Sequence, residues 1–116
     1  MGDISKNFNR FEFACKCGCG FDAVDKELLC VLELVRCRFK KPVIINSACR
    51  CLNHNRKIGS KDTSQHVKAK AADIVVNGVK PKFVYDYLDD IFSDKYGIGN
   101  YETFTHIDVR TKKARW

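Results

Sequence analysis

Apolar and polar positions alternate along this chain with periods that change from segment to segment. After a polar, phenylalanine-spotted opening, Leu28, Val31, Leu32 and Val35 recur at helical spacing, and Asp25 is placed to cap the first turn. This predicts an amphipathic helix from Asp25 to about Arg38, with Arg36, Arg38, Lys40 and Lys41 at the negative end of its dipole. Val43-Ile44-Ile45-Asn46 is short and β-branched and reads as a buried strand. Residues 47–70 are polar with no clear period and read as a long loop, a feature that small domains reserve for function or leave disordered. Ala71 to Val76 reads as a second strand closed by Asn77-Gly78. Pro81 suits the first turn of a second helix whose apolar face is Val84, Tyr87, Leu88 and Ile91. Tyr96–Tyr101 and Phe104–Arg110 read as a final pair of strands before a basic tail ending in Trp116. Within residues 1–24, Phe8, Phe11, Phe13 and Phe21 are the expected anchors. The order predicts one α+β domain, residues 1–116, with a small, mostly antiparallel sheet and two helices.

Composition narrows this picture. A chain of 116 residues supports one core and not two. The longest apolar run, Leu28 to Leu32, is far short of the roughly 20 residues of a membrane span, so no membrane-embedded segment is expected. Residues 1–7 carry no apolar h-region, so no secretory signal is expected. The net charge of +7 favours polyanionic surroundings, whether nucleic acid, an anionic membrane face or an acidic wall polymer. The basic residues are scattered and not interleaved with aromatics, which argues against a nucleic-acid-binding module. Seven cysteines cannot all pair internally. Cys15, Cys17 and Cys19 are spaced more tightly than usual structural zinc ligands, so buried thiols and loop packing are favoured there over a second metal. Cys30 and Cys37 share a helix side away from the apolar stripe and are expected to pack under the N-terminal segment. Cys49 and Cys51 flank Arg50 and could reach the N-terminal cysteines.

Chemistry concentrates in two places. Asp73 sits within the otherwise apolar second strand, where a buried carboxylate is costly unless paired or metal-bound. His66 lies seven residues earlier, too far along a helix and on the wrong face of a strand, so the two meet only if His66 rides a loop folded back over the strand. On the last strand His106, Asp108 and Arg110 share one face, joined by Glu102 if the strand is unbroken; Thr105, Ile107 and Val109 share the other. Two histidines and an aspartate, with a further carboxylate as base, are a donor set suited to a catalytic zinc.

Three stretches carry a resemblance: Asn46–Asn55 around Cys49-Arg50-Cys51; Ser64-Gln65-His66 with Lys70–Ile74; and Phe104–Arg110 with Ala114-Arg115-Trp116. Together they resemble the zinc D-Ala-D-Ala peptidases that share a fold with the hedgehog signalling domain. Phe11–Gly20 resembles the opening of the short, phage-type branch of that family. The resemblance implies a peptidase of bacterial peptidoglycan that holds one zinc through His66, Asp73 and His106, with Asp108 in reserve for the last ligand. It implies a cleft arginine at Arg50, for an oxyanion or a substrate carboxylate, and a His66 loop shaped by Ser64 and Gln65, the latter a substrate contact. The acidic residue that many members carry three before the last histidine is Thr103 here, so the base stays open between Asp108 and Glu102. Trp116 is expected in the core or the cleft wall. The chain is expected to be a monomer, made without a signal and released to the wall through a holin-type pore, its charge favouring adsorption. Its length leaves little for a lid, which favours an endopeptidase over a D-Ala-D-Ala carboxypeptidase. The alternative is a non-catalytic zinc-binding module of the hedgehog-like type.

Overall fold

In a computed structural model that describes residues 2–116, the chain opens with a segment pinned to the first long helix by a carboxylate. Glu33 accepts hydrogen bonds from the Ser5 hydroxyl (2.5 Å), the Asn7 backbone N–H (2.8 Å) and the Asn7 side-chain amide (2.6 Å). These donors outweigh partial burial and hold the Glu33 carboxyl below its ordinary range. A 3-10 turn, Arg10–Phe13, then buries Phe13 edge-on against Phe8, ring centroids 6.0 Å apart. Phe11 is 75% exposed, so it is not the anchor its spacing suggested, and Phe21 is only half-buried.

Helix α1 (Lys26–Phe39) starts as expected, with the Asp25 carboxylate accepting the backbone N–H groups of Glu27 and Leu28. Its buried residues are the expected stripe, Leu28, Val31, Leu32 and Val35. Cys30 and Cys37 are exposed, because the N-terminal segment docks over Ser5, Asn7 and Glu33 instead of over the thiols. Strand β1 (Val43–Ser47) pairs antiparallel with β2 (Ala71–Val76). The expected loop between them contains a short helix, α2 (Leu52–Lys57). Its six residues bury only Asn55, so no apolar period marks it. Helix α3 (Pro81–Ile91) leads to β3 (Gly97–Asn100) and β4 (Thr105–Asp108). The tail is not free. Ala114–Arg115 forms β5, which runs parallel to β3, while Arg115 binds Asp89 and the Tyr96 and Phe92 carbonyls.

The five strands lie in the order β1-β2-β4-β3-β5, antiparallel except for the last pair. Side chains alternate across the sheet. Ala72, Ile74 and Val76 of β2, Ile98 of β3 and Ile107 of β4 join the stripe of α1 and Val84 and Leu88 of α3 in one core. Truncating a fully buried member such as Leu32 to alanine costs about 2–5 kcal/mol. The opposite face of β2 and β4 therefore presents Ala71, Asp73, His106 and Asp108, and the 48–70 segment closes over it. Among the described residues no helix is long and apolar enough to cross a membrane.

Candidate metal centre and cleft

Register places the site. Asp73 and His106 are directly opposed across the β2–β4 ladder, and Ala71 opposes Asp108. Residues directly opposed point to one face, so the carboxylate of Asp73 meets the His106 ring, with Oδ1 2.9 Å from Nδ1. His66 arrives from outside the sheet, as the loop argument requires. Its backbone N–H is held by the Ser64 hydroxyl (3.2 Å), and its carbonyl accepts the N–H groups of Arg50 (3.0 Å) and Ala69 (3.2 Å). Ala69 then takes a left-handed conformation, φ +60°, to turn the chain into β2, and its carbonyl is tied to the Asp25 N–H. An alanine in this region carries a local penalty of about 1–2 kcal/mol that surrounding contacts must offset.

Each histidine has one nitrogen committed and one presented. His66 Nδ1 lies 2.5 Å from the Ala48 carbonyl. A carbonyl only accepts, so Nδ1 carries a proton, and Nε2 is the nitrogen turned toward Asp73, 3.4 Å from its Oδ2. His106 Nε2 lies 2.7 Å from Asp108 Oδ2, while Nδ1 faces Asp73. Donor atoms of His66, Asp73 and His106 all fall within 4.8 Å of one another. A tetrahedral zinc with bonds of about 2.0–2.1 Å needs such donors roughly 3.4 Å apart, so the set fits this metal.

Electrostatics agree with the geometry. Burial alone would raise the Asp73 carboxyl, but the His106 and His66 contacts overcome it and hold the group well below the usual carboxylate range. Burial likewise opposes ionisation of Asp108, yet hydrogen bonds from His106 and Arg110 bring it down to about 2. For His106, burial lowers the pKa and the hydrogen bonds to Asp108 and Asp73 raise it, the net direction being upward. Arg110 clamps Asp108 with two hydrogen bonds, Nε to Oδ1 and a terminal N–H to Oδ2, each 2.7 Å. Asp108 thus backs the His106 ring, the arrangement by which a carboxylate fixes a metal-binding imidazole.

Around these groups runs a cleft of about 530 Å³. Arg50, Ser64, Gln65, His66, Asp73 and His106 all line it, together with Tyr101, Phe104, Arg110 and Trp116. Arg50 is 8% exposed and its Nε has no hydrogen-bond partner, an unmet donor beside the donor cluster. Tyr101 and Phe104 stack at 4.4 Å, and Trp116 donates to the Tyr101 hydroxyl (2.7 Å) under the Arg110 guanidinium. Of the two places expected for Trp116, core or cleft wall, it takes the wall. A roomier groove of about 940 Å³ between the end of α1 and α3 gathers no comparable donor set.

Two expected residues are not brought into the cleft. Glu102 is exposed in the turn before β4 and lines a separate depression with Lys80 and Pro81, because the strand begins only at Thr105. Asp108 is fully buried, with both oxygens engaged. Two glycines that the pattern did not single out prove necessary. A Cβ on Gly97 would sit 2.5 Å from Asp108 Oδ2, and one on Gly99 would sit 2.6 Å from Trp116 Nε1. Their signal was the Gly-x-Gly spacing, which puts both on the face opposite Ile98.

The family model described as Peptidase M15 matches residues 6–108. No curated protein matches the chain.

Proposed function

The chain belongs to the peptidase M15 family of zinc-dependent metallopeptidases, and from that premise we propose that it hydrolyses peptide bonds of bacterial peptidoglycan. The observation that carries this reading is the convergence of His66, Asp73 and His106 on one point at the floor of the cleft. Zinc bound there would supply a water of pKa about 7 and polarise a carbonyl.

The remaining chemistry belongs to the chain's own groups. The Ala48 carbonyl and Asp108 fix which nitrogen each ring presents. Arg50, desolvated and unpaired at Nε, is placed for the charge of an oxyanion or of a substrate carboxylate. Ser64 holds the His66 loop, and Gln65 offers an amide to a bound peptide. Tyr101, Phe104 and Trp116 form an apolar wall for a stem peptide. Asp108, buried with both oxygens engaged, and Glu102, outside the cleft, are poorly placed to take the proton of a bound water. Asp73 is the one carboxylate among the described residues that line the cleft, and its place there is as a metal ligand.

The reading extends to a phage-type lytic enzyme that acts as a monomer at the cell wall after holin-type release. The +7 charge supports it by favouring adsorption to an anionic wall. Loss of turbidity of purified peptidoglycan, with and without chelator, is the test. Full activity after zinc is stripped contradicts it. One observation favours the non-catalytic zinc module as a second reading: among the described residues lining the cleft, no carboxylate is free beside Asp73. Zinc bound stoichiometrically, with no peptide or amine released, would decide for that module.

A further inference from the structure

The seven cysteines divide into three groups of different character. Cys49 is a buried thiol that donates to the Phe13 carbonyl (2.9 Å) and contacts that of Phe21 (3.1 Å), so its partners are backbone oxygens. Cys30 and Cys37 stand exposed on α1. The other four, Cys15, Cys17, Cys19 and Cys51, place their sulfur atoms within 4.8 Å of one another.

The chain works to gather these four. The Cys15 N–H binds the Phe21 carbonyl (2.7 Å) and the Gly18 N–H binds the Cys15 carbonyl (3.2 Å), so residues 15–21 close a tight loop. Gly18 at φ +80° and Gly20 at φ +91° supply the backbone reversals that this loop needs. On an extended strand three cysteines at spacing two would share a face but stand about 6.6 Å apart, too far for one ion; the closed loop brings their sulfurs within 4.8 Å of one another. The fourth, Cys51, comes from the far side of α1 and β1. Cys17 Sγ lies 3.4 Å from Cys15 Sγ and 3.5 Å from Cys51 Sγ. Two of the sulfurs also receive backbone N–H groups, Cys15 from Cys51 and Cys51 from His54, each at 3.4 Å.

A tetrahedral tetrathiolate zinc with bonds of about 2.3 Å needs sulfurs about 3.8 Å apart, between the shortest contact and the 4.8 Å limit seen here. Packing does not explain the cluster, since Cys17 and Cys19 are exposed. We propose that Cys15, Cys17, Cys19 and Cys51 bind one zinc ion as a structural tetrathiolate site, separate from the cleft. The ion staples the N-terminal loop to the segment that carries Arg50 and so holds that arginine's backbone against the His66 loop. An all-sulfur set selects a soft or borderline ion over magnesium or calcium.

The test counts metal on the intact chain, purified under reducing conditions, loaded with zinc and desalted. The expected result is two zinc ions per chain, one in the Cys17→Ser/Cys19→Ser variant and one in the His66→Ala/Asp73→Ala variant. Cobalt substitution separates the sites: thiolate-to-cobalt charge-transfer absorption should persist in the His66→Ala/Asp73→Ala variant. If the cysteine variant fails to fold, alkylation of the zinc-loaded intact chain decides. Cys30 and Cys37 should be modified quickly and the four cluster thiols protected until chelator is added. Absence of the cobalt–thiolate band, equal alkylation of all exposed thiols with zinc present, or a disulfide within the cluster would overturn the proposal. None of these outcomes depends on whether the cleft hydrolyses peptides.

Discussion

Two donor clusters flank one short stretch of chain, Ala48 to Cys51, and they are built in opposite ways. Ala48 and Arg50 turn toward the cleft, where the Ala48 carbonyl binds His66 Nδ1 and the Arg50 N–H binds the His66 carbonyl. Cys49 and Cys51 turn the other way, into the N-terminal segment. The cleft cluster uses nitrogen and oxygen donors, two of them on paired strands, with Asp108 and Arg110 behind one ring. The cysteine cluster uses sulfur donors on loops, with glycine reversals. Strand register makes the first site rigid and leaves one side open to a cleft, as a catalytic centre requires. The second closes on itself, as a structural site does.

The contrast is broken most severely at Asp73. Replacing it with alanine should remove the cleft zinc and lower hydrolysis by about three orders of magnitude or more, since metal polarisation supplies several kcal/mol. Metal counting and peptide release check this, and the thiolate site should be untouched. Asp108→Asn should act more mildly and in a revealing way. If Asp108 only orients His106, zinc affinity of the cleft falls about 10–100-fold and activity returns when zinc is saturating. A deficit that persists at saturating zinc would make Asp108 part of the chemistry. Cys15→Ser should leave cleft zinc in place and lower the unfolding midpoint, by about 5 °C for each kcal/mol lost, with the gap between zinc and chelator shrinking in a thermal melt. Glu102→Ala, at an exposed turn outside the cleft, should change activity by no more than about twofold in a turbidity assay.

The sequence made much of the fold legible because its elements carry clean periods. The Leu28/Val31/Leu32/Val35 stripe, the Asp25 cap and the run Ala71–Val76 all stand where the pattern put them. What stayed hidden lacked a period of its own. Helix α2 buries a single residue, and β5 is two residues long and owes its pairing to β3, which no local pattern encodes. The site divides the same way. The shared face of His106 and Asp108 follows from alternation, and the need for His66 to fold back followed from its spacing to Asp73. The role of Asp108 was not legible, because burial and the Arg110 clamp depend on how tightly β4 packs against Gly97. Glu102 would share the His106 face only on an unbroken strand, and β4 begins at Thr105. That Cys51 could reach the N-terminal cysteines was legible and is borne out; the convergence of Cys15, Cys17 and Cys19 was not, because it rests on the backbone reversals at Gly18 and Gly20.

Mass analysis of the products from a defined muropeptide tests the central claim most directly. Wild-type protein with zinc should release a fragment whose mass shows one peptide bond hydrolysed; loss of terminal D-alanine marks a carboxypeptidase, and a severed cross-link or stem marks an endopeptidase. Chelator should abolish the release, added zinc should restore it, and folded Asp73→Ala protein should give none. An intact muropeptide after incubation with fully zinc-loaded protein, or unchanged cleavage once zinc is stripped, would contradict the account.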